Sequence, residues 1–178
     1  MKSKNLSPRT PREPLNIKLD YFALQLDLLN EKIKANGSRV YEEQFGVSLR
    51  DLRLMRFIGA EPGLTLGRLI EHTALEKTLA SKAVTTLADK GLVTRSVGLQ
   101  DARQISLELT DAGEEIVRAA EPVGRFMEAL LLQQLTERDQ DVLRRCLRKI
   151  SASAEETGVR VDEHIKSLRS AKSSKVAK

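Results

Sequence analysis

The spacing of apolar residues changes at Gly91, and this change limits the folds open to the chain. Before it, apolar residues recur every three or four positions, as in the stretch from Glu76 to Lys90, which predicts amphipathic helices. After it they alternate with polar residues, which predicts one strand over 92–97 and another over 104–109. Gly98 to Asp101 would turn this hairpin.

Three short helices are predicted before the hairpin, and residues with capping side chains precede them. Ser48, followed by Asp51, resembles a capping box and would open a helix through Ile58. Thr65 would cap the second helix. A turn near Ala74 then leads into the third.

The flanking segments are helical in pattern. Residues 15–45 carry two apolar stripes, which are listed here: Phe22, Leu26, Leu29, Ile33 and Val40, with Ile17, Tyr21, Leu24 and Leu28. A helix apolar on two sides is most economically buried against a partner subunit, which predicts a homodimer. After the hairpin, Thr110 and Thr136 would cap two more helices, and Pro122 predicts a kink or break near Ala120.

Together these elements predict a mainly α fold with a small β-hairpin, namely a winged helix-turn-helix core flanked by N- and C-terminal dimerisation helices. The 178 residues contain only 3% aromatics, and a Leu, Val, Ile and Ala core suits helix packing. The predicted divisions are a flexible basic arm (1–14), an N-terminal dimerisation helix (15–45), the winged core (46–112), C-terminal dimerisation helices (113–157), and a basic tail, partly disordered (158–178).

The third short helix has the composition of a DNA-reading helix. Ala80, Ala83, Val84 and Leu87 form its predicted inner face. The predicted outer face consists of polar or basic residues that can reach phosphates and base edges: Lys77, Thr78, Ser81, Lys82 and Thr85. At the hairpin tip, Arg103 could enter the minor groove, while Asp101 could hold its guanidinium or pin the turn.

Composition excludes several function classes. A net charge of +5 is only a mild bias toward a polyanionic partner such as double-stranded DNA. No apolar run approaches the roughly 18 residues that cross a bilayer, and the single Cys146 cannot form an internal disulfide, so we expect a cytoplasmic, nucleoid-associated protein without a membrane partner. Cys146 lies at an apolar helical position and is expected to pack inertly. We find no catalytic constellation, metal-ligand spacing or cofactor motif, so neither an enzyme nor a cofactor is expected.

An ordered series of motifs resembles the MarR-type transcription regulators. The matching pieces are Gly46-Val47-Ser48 with Leu54, Glu61-Pro62-Gly63-Leu64-Thr65 with Leu69, Lys90-Gly91-Leu92-Val93-x-Arg95, Asp101-x-Arg103, and Leu109-Thr110-x-x-Gly113. The resemblance covers about residues 17–152 and adds Arg95 to the predicted DNA contacts. Two departures are Leu79, where Ser or Thr is common, and a single Arg at the hairpin tip.

The resemblance implies a homodimer formed by the first and last helices, with two winged domains on a palindromic operator. It also implies a regulator, usually a repressor, that a small aromatic ligand releases from DNA. Two alternatives remain open, a winged-helix module that contacts a protein and a non-specific nucleic-acid binder. The salt dependence of DNA binding would separate DNA binding from protein binding.

Overall fold

The computed structural model describes residues 15–97 and 105–176, which form helices and a small sheet. In chain order the elements are α1 (Phe22–Phe45), α2 (Leu49–Ala60), β1 (Leu64–Thr65), α3 (Leu66–Thr73), α4 (Lys77–Asp89), β2 (Val93–Val97), β3 (Ile105–Leu109), α5 (Asp111–Leu132) and α6 (Glu137–Val176). This order confirms the predicted mainly α fold with a winged helix-turn-helix layout.

The sheet is antiparallel and contains a strand that the sequence did not reveal. β2 and β3 form the predicted hairpin, with Val93 opposite Leu109 and Val97 opposite Ile105. β1 pairs with the other edge of β3, where Leu64 lies opposite Leu107. A two-residue strand is too short to show alternation, so only its pairing partner 43 positions away defines it.

The predicted capping residues begin their helices as expected. The hydroxyls of Ser48, Thr65, Thr110 and Thr136 each accept a hydrogen bond from the backbone N–H three residues ahead, at 3.1 to 3.3 Å. Thr136 and Asp139 form a reciprocal pair, because the Thr136 N–H also donates to the Asp139 carboxylate at 3.2 Å. These bonds satisfy helix N–H groups that have no partner inside the helix.

The chain divides into two compact units, residues 1–120 and 121–178. The first unit contains the described aliphatic core, to which α2, β1, α3, α4 and β3 each contribute. Its fully buried side chains include Leu52, Met55, Ile58, Leu64, Leu69, Leu87 and Leu107. This core holds the short helices against the sheet, so the orientation of α4 is set by packing on one side.

The N-terminal helix starts later than its apolar stripes suggest. Residues 15–21 are not helical, and α1 begins only after Tyr21, which caps it without a side-chain hydrogen bond. Leu15, Ile17, Leu19 and Tyr21 alternate with polar residues, a period-2 pattern that the helical reading overlooked. The predicted helix does continue to Phe45, without a break at Asn36 and Gly37.

The C-terminal helices are longer and less interrupted than predicted. α5 runs through Pro122 without a break near Ala120, because Pro122 is exposed and water can reach the carbonyl group that loses its donor. α6 continues to Val176, so residues 158–176 are helical where a partly disordered tail was expected. Apart from Gly158, this stretch contains no strong helix breaker. Cys146 is exposed rather than packed.

Among the described residues, none of the helices is both long enough and apolar enough to span a membrane.

Candidate nucleic-acid interface

The turn between α3 and α4 fixes the direction of α4. Ala74 ends α3 in the left-handed conformation, with φ of 51°. Glu76 follows in extended conformation and caps α4. Behind this turn, the Thr73 hydroxyl donates to the Leu69 carbonyl at 2.7 Å, which closes the last turn of α3. α3 and α4 therefore form a helix-turn-helix in which the turn sets the direction of the second helix.

The inner face of α4 is the one that the sequence predicted. Ala80, Ala83, Val84 and Leu87 are all buried, and α4 contacts α2, α3 and β2. The two alanines let the helix backbone approach its neighbours closely. A helix held in this way presents its opposite face to solvent in a fixed orientation, as duplex recognition requires.

The predicted outer residues lie on the accessible side of α4. Lys77, Thr78, Lys82 and Thr85 are exposed, and Ser81 is half-buried. The structure therefore brings these five together on one helix face with both hydroxyl and ammonium groups available. Such a face can donate to phosphate oxygens and exchange hydrogen bonds with base edges.

Arg95 extends this face from the sheet. It lies on β2, and its Nη1 donates a hydrogen bond to the Thr85 hydroxyl at 3.2 Å. Both side chains are exposed. The sequence singled out the two residues separately, and the structure joins them, so a guanidinium stands beside the polar face of α4.

Glu76 is a residue of this site that the sequence reasoning missed. One carboxylate oxygen accepts from the Leu79 N–H at 3.1 Å. Hydrogen bonds from the backbone N–H groups of Thr78 and Leu79, and from the Thr78 side chain, lower the pKa of Glu76 below its usual 4.5. A negative charge therefore remains at the start of α4 at neutral pH, where it interacts favourably with the positive end of the helix dipole. Glutamate is not one of the preferred N-cap residues, so the sequence carried no clear signal for this cap.

Two further exposed residues of α4 were not among the predicted contacts. Leu79 is 48% exposed. A branched apolar side chain at such a position can contact a thymine methyl group. The hydroxyl of Thr86, by contrast, donates to the Lys82 carbonyl at 3.0 Å, so its donor is already used within the helix.

Asp101 and Arg103 lie outside the described residues. β2 ends at Val97 and β3 begins at Ile105, so both predicted hairpin residues belong to the connection 98–104. Their assignment stays a prediction. Within 15–97 and 105–176, no group of three or more His, Cys, Asp or Glu is placed to hold a metal ion.

Comparison with known proteins gives a family match over the winged region. A family model described as "MarR family" matches residues 45–104. The transcriptional regulator HosA of Escherichia coli O157:H7 is 30% identical over 97 residues, which cover 54% of this chain and 72% of that protein. The HTH-type transcriptional repressor Rv2887 of Mycobacterium tuberculosis is 27% identical over 107 residues, covering 60% of this chain and 77% of that protein.

Solved structures share the fold. The chain is similar to S. aureus MepR in its complex with DNA, with a TM-score of 0.69 and 22% identity over 75% of this chain and 98% of that one. It is also similar to the PcaV transcriptional regulator of Streptomyces coelicolor in complex with its natural ligand, with a TM-score of 0.68 and 20% identity over 79% of this chain and 99% of that one.

Proposed function

This chain belongs to the MarR family of DNA-binding transcription regulators, and from that premise we propose that it is a homodimeric repressor. In this proposal each copy reads one half of a palindromic operator through α4 and β2, and a small aromatic ligand releases the dimer from DNA. The contacting residues would be Lys77, Thr78, Ser81, Lys82, Thr85 and Arg95 in the described part of the chain, with Asp101 and Arg103 added from the hairpin connection.

The observation that carries the DNA-reading proposal is the hydrogen bond from Arg95 to Thr85. It places a permanent cation at the edge of a helix face that otherwise carries hydroxyl and ammonium groups. A guanidinium beside such a face can take a phosphate while shorter side chains approach the bases. The MepR relative, whose structure holds DNA, has the same fold.

Exposed apolar side chains support the homodimer. On α1, Phe22, Leu26, Leu29 and Ile33 are each between 37% and 54% exposed. In the second unit, Phe126, Leu130 and Leu131 of α5 and Leu147 of α6 are exposed as well. Exposed apolar patches mark interaction sites, and a twofold interface would present two copies of α4 to a palindromic site.

Release by an aromatic ligand rests on the resemblance to the MarR-type regulators. PcaV was solved with its natural ligand. Of two surface depressions, one is lined by α1 around Leu26 and the other by α5 around Glu114. A depression lined by a single helix is an open surface rather than a pocket that encloses a ligand. Benzoate is a simple aromatic probe. It should weaken operator binding at millimolar concentration, while cyclohexane carboxylate, equal in charge but not aromatic, should not.

The proposal is tested with duplexes that the full chain selects from a random-sequence pool. A specific regulator should enrich an inverted repeat and bind it with two chains per duplex, at least 10³-fold more tightly than random DNA. Affinity should fall with salt, with a log-log slope near −0.9 per neutralised phosphate. Enrichment of no sequence would favour the non-specific binder, and affinity insensitive to salt would favour the protein-interaction module. A failure of the benzoate experiment would reject the aromatic ligand and leave the proposal of DNA binding intact.

A further inference from the structure

Leu79 is an exposed apolar residue in the first turn of α4. Its side chain is 48% exposed, although the inner face of the helix is already filled by other, buried residues. Single exposed leucines are common on protein surfaces, so the position of Leu79 decides what its exposure means. In a helix-turn-helix the first residues of the second helix lie closest to the base edges. The chemistry around Leu79 therefore bears on which bases α4 can read.

The exposed surface of α4 is less polar on the side of Leu79 than on the side of β2. At 100° per residue, Leu79, Lys82 and Thr86 lie within about 60° of one another. The Thr86 hydroxyl donates to the Lys82 carbonyl at 3.0 Å, so its proton is not available to DNA, and the stem of Lys82 is itself apolar. Thr85 lies about 120° from Leu79, and there the Arg95 guanidinium donates to its hydroxyl at 3.2 Å. Hydrogen-bonding groups are therefore concentrated on the side away from Leu79.

The start of α4 is poorly suited to a phosphate on the side of Leu79. The Leu79 N–H donates to the Glu76 carboxylate at 3.1 Å, so it is not free to bind an anion as N–H groups at helix starts often do. That carboxylate is charged at neutral pH, because its pKa is lowered, and it repels a phosphate. Lys77 lies about 160° round the helix from Leu79, and Lys82 follows one turn later. A neutral, apolar group is therefore the better neighbour for Leu79.

Among the bases, thymine offers such a group in the major groove. Its C5-methyl group projects into the groove, whereas guanine, adenine and cytosine present hydrogen-bond donors and acceptors there. Packing a leucine on the methyl group removes apolar surface of both partners from water. The same side chain placed on the donors and acceptors of a G·C pair would remove them from water without replacing their hydrogen bonds, which costs free energy. An exposed leucine at this position therefore favours thymine and disfavours a G·C pair.

From the exposure of Leu79, its place in the first turn of α4 and the polarity of its surroundings, we propose that Leu79 selects a thymine in each half of the operator by packing on the C5-methyl group. This inference rests on the DNA binding of the proposed function and deepens it, because it names a base that the site prefers and the residue that prefers it. The hydroxyl, ammonium and guanidinium groups of α4 and β2 would supply the remaining contacts, to phosphates and to neighbouring bases.

Deoxyuridine tests the contact, because it pairs as thymine does but lacks the methyl group. The full chain first selects an operator from a random-sequence pool. Each thymine of a half-site is then replaced by deoxyuridine, in both half-sites at once, and binding is measured by fluorescence anisotropy. At one position the replacement should weaken binding about fifteenfold, since each buried methyl group is worth about fourfold and two are removed. Replacements outside the half-sites should leave binding unchanged.

Substitutions at Leu79 assign the effect to this side chain. Leu79→Ala should bind the operator more weakly and should no longer distinguish thymine from deoxyuridine at the sensitive position. Leu79→Met keeps an apolar side chain of similar volume, so it should retain the discrimination. Neither variant changes the charge, so binding to random DNA and its salt dependence should not change. Lys82→Ala is the matched control one turn further along the helix. It should weaken binding to both duplexes equally and preserve their ratio.

The possible outcomes separate this inference from the function on which it rests. A selected operator without thymine in its half-sites, or one in which no replacement by deoxyuridine weakens binding, would overturn the thymine contact with the parent chain alone. A deoxyuridine effect that persists undiminished in Leu79→Ala would overturn it as well. Specific operator binding would stand in all three cases. A parent chain that selects no sequence would overturn the proposed function, and the thymine contact with it.

Discussion

Arg95 on β2 donates a hydrogen bond from Nη1 to the hydroxyl of Thr85 on α4, across 3.2 Å. Thr85 lies on the exposed side of the helix, so the bond holds the guanidinium at the edge of the predicted DNA-contacting face. β2 and α4 thus share one polar contact that the sequence could not reveal.

We expect this bond to be measurable as coupling in operator binding. Arg95→Ala should weaken binding about tenfold, which is about 1.4 kcal/mol, and Thr85→Val should weaken it less. The double variant should lose less than the sum, because Thr85 acts partly by positioning Arg95. Arg118→Ala removes an exposed arginine that pairs only locally with Glu114, and its binding should be nearly unchanged. Fluorescence anisotropy at fixed salt measures all four variants, and strictly additive losses would refute the coupling.

The hydroxyl and ammonium groups of α4 should act differently on specificity. Lys82→Ala should weaken binding to operator and random DNA about equally and reduce the salt slope by about one unit, since a lysine contacts phosphate as a point charge. Thr78→Val and Ser81→Ala should instead change the operator-to-random ratio by roughly 1 to 3 kcal/mol. Gel-shift titrations at two salt concentrations separate these effects. If the ratio stays constant in all three variants, α4 does not read sequence.

The carboxylate of Glu76 should make stability depend on acidity. Its pKa is lowered in the folded chain, chiefly by hydrogen bonds from the N–H groups of Thr78 and Leu79. The charged form is therefore favoured by folding, and its contribution is present above pH 4.5 and is lost as the pH falls through the lower folded value. Glu76→Gln should therefore be less stable than the parent chain at pH 7, and this difference should shrink as the pH falls to 3. Thermal unfolding of both chains at pH 7 and at pH 3 measures it, and an equal difference at the two pH values would contradict the argument.

Two glycine-to-alanine changes near helix starts should have opposite effects on stability. A Cβ on Gly113 would lie 2.1 Å from the Leu92 carbonyl oxygen, which also accepts from the Thr110 N–H at 3.1 Å. Gly113→Ala should therefore cost about 3 kcal/mol of unfolding free energy, since backbone must move. A Cβ on Gly67 meets only the Thr65 hydroxyl at 3.9 Å, so Gly67→Ala should stabilise by roughly 0.5 to 1 kcal/mol. Urea unfolding compares them, and equal midpoints would contradict the argument.

Arg103 remains a sequence-based prediction with its own test. If it enters the minor groove, Arg103→Ala should lower operator affinity by about 1 to 3 kcal/mol and leave unfolding unchanged. Asp101→Ala should act in the same direction but less. Unchanged affinity of Arg103→Ala at physiological salt would exclude the arginine from the interface.

The sequence by itself determined the features that depend on neighbours in the chain. Ser48, Thr65 and Thr110 cap helices through bonds to residues three positions ahead, so a local pattern is enough to identify them. The inner face of α4 and the β2–β3 hairpin follow equally from local periodicity. Where two local patterns overlapped, as in residues 15–21, this reading was wrong about the start of α1.

Only the tertiary structure decided which distant residues meet. β1 exists because Leu64 pairs with Leu107, and Arg95 reaches Thr85 because β2 packs beside α4. Neither contact produces a periodic pattern in the sequence, because each joins residues from different elements that only the packing of the core brings together. The length of α6 is a related case: helix propensity allowed it to continue past residue 157, but composition alone suggested a tail. Periodicity reports on local geometry, while long-range contacts depend on the packing of the whole unit.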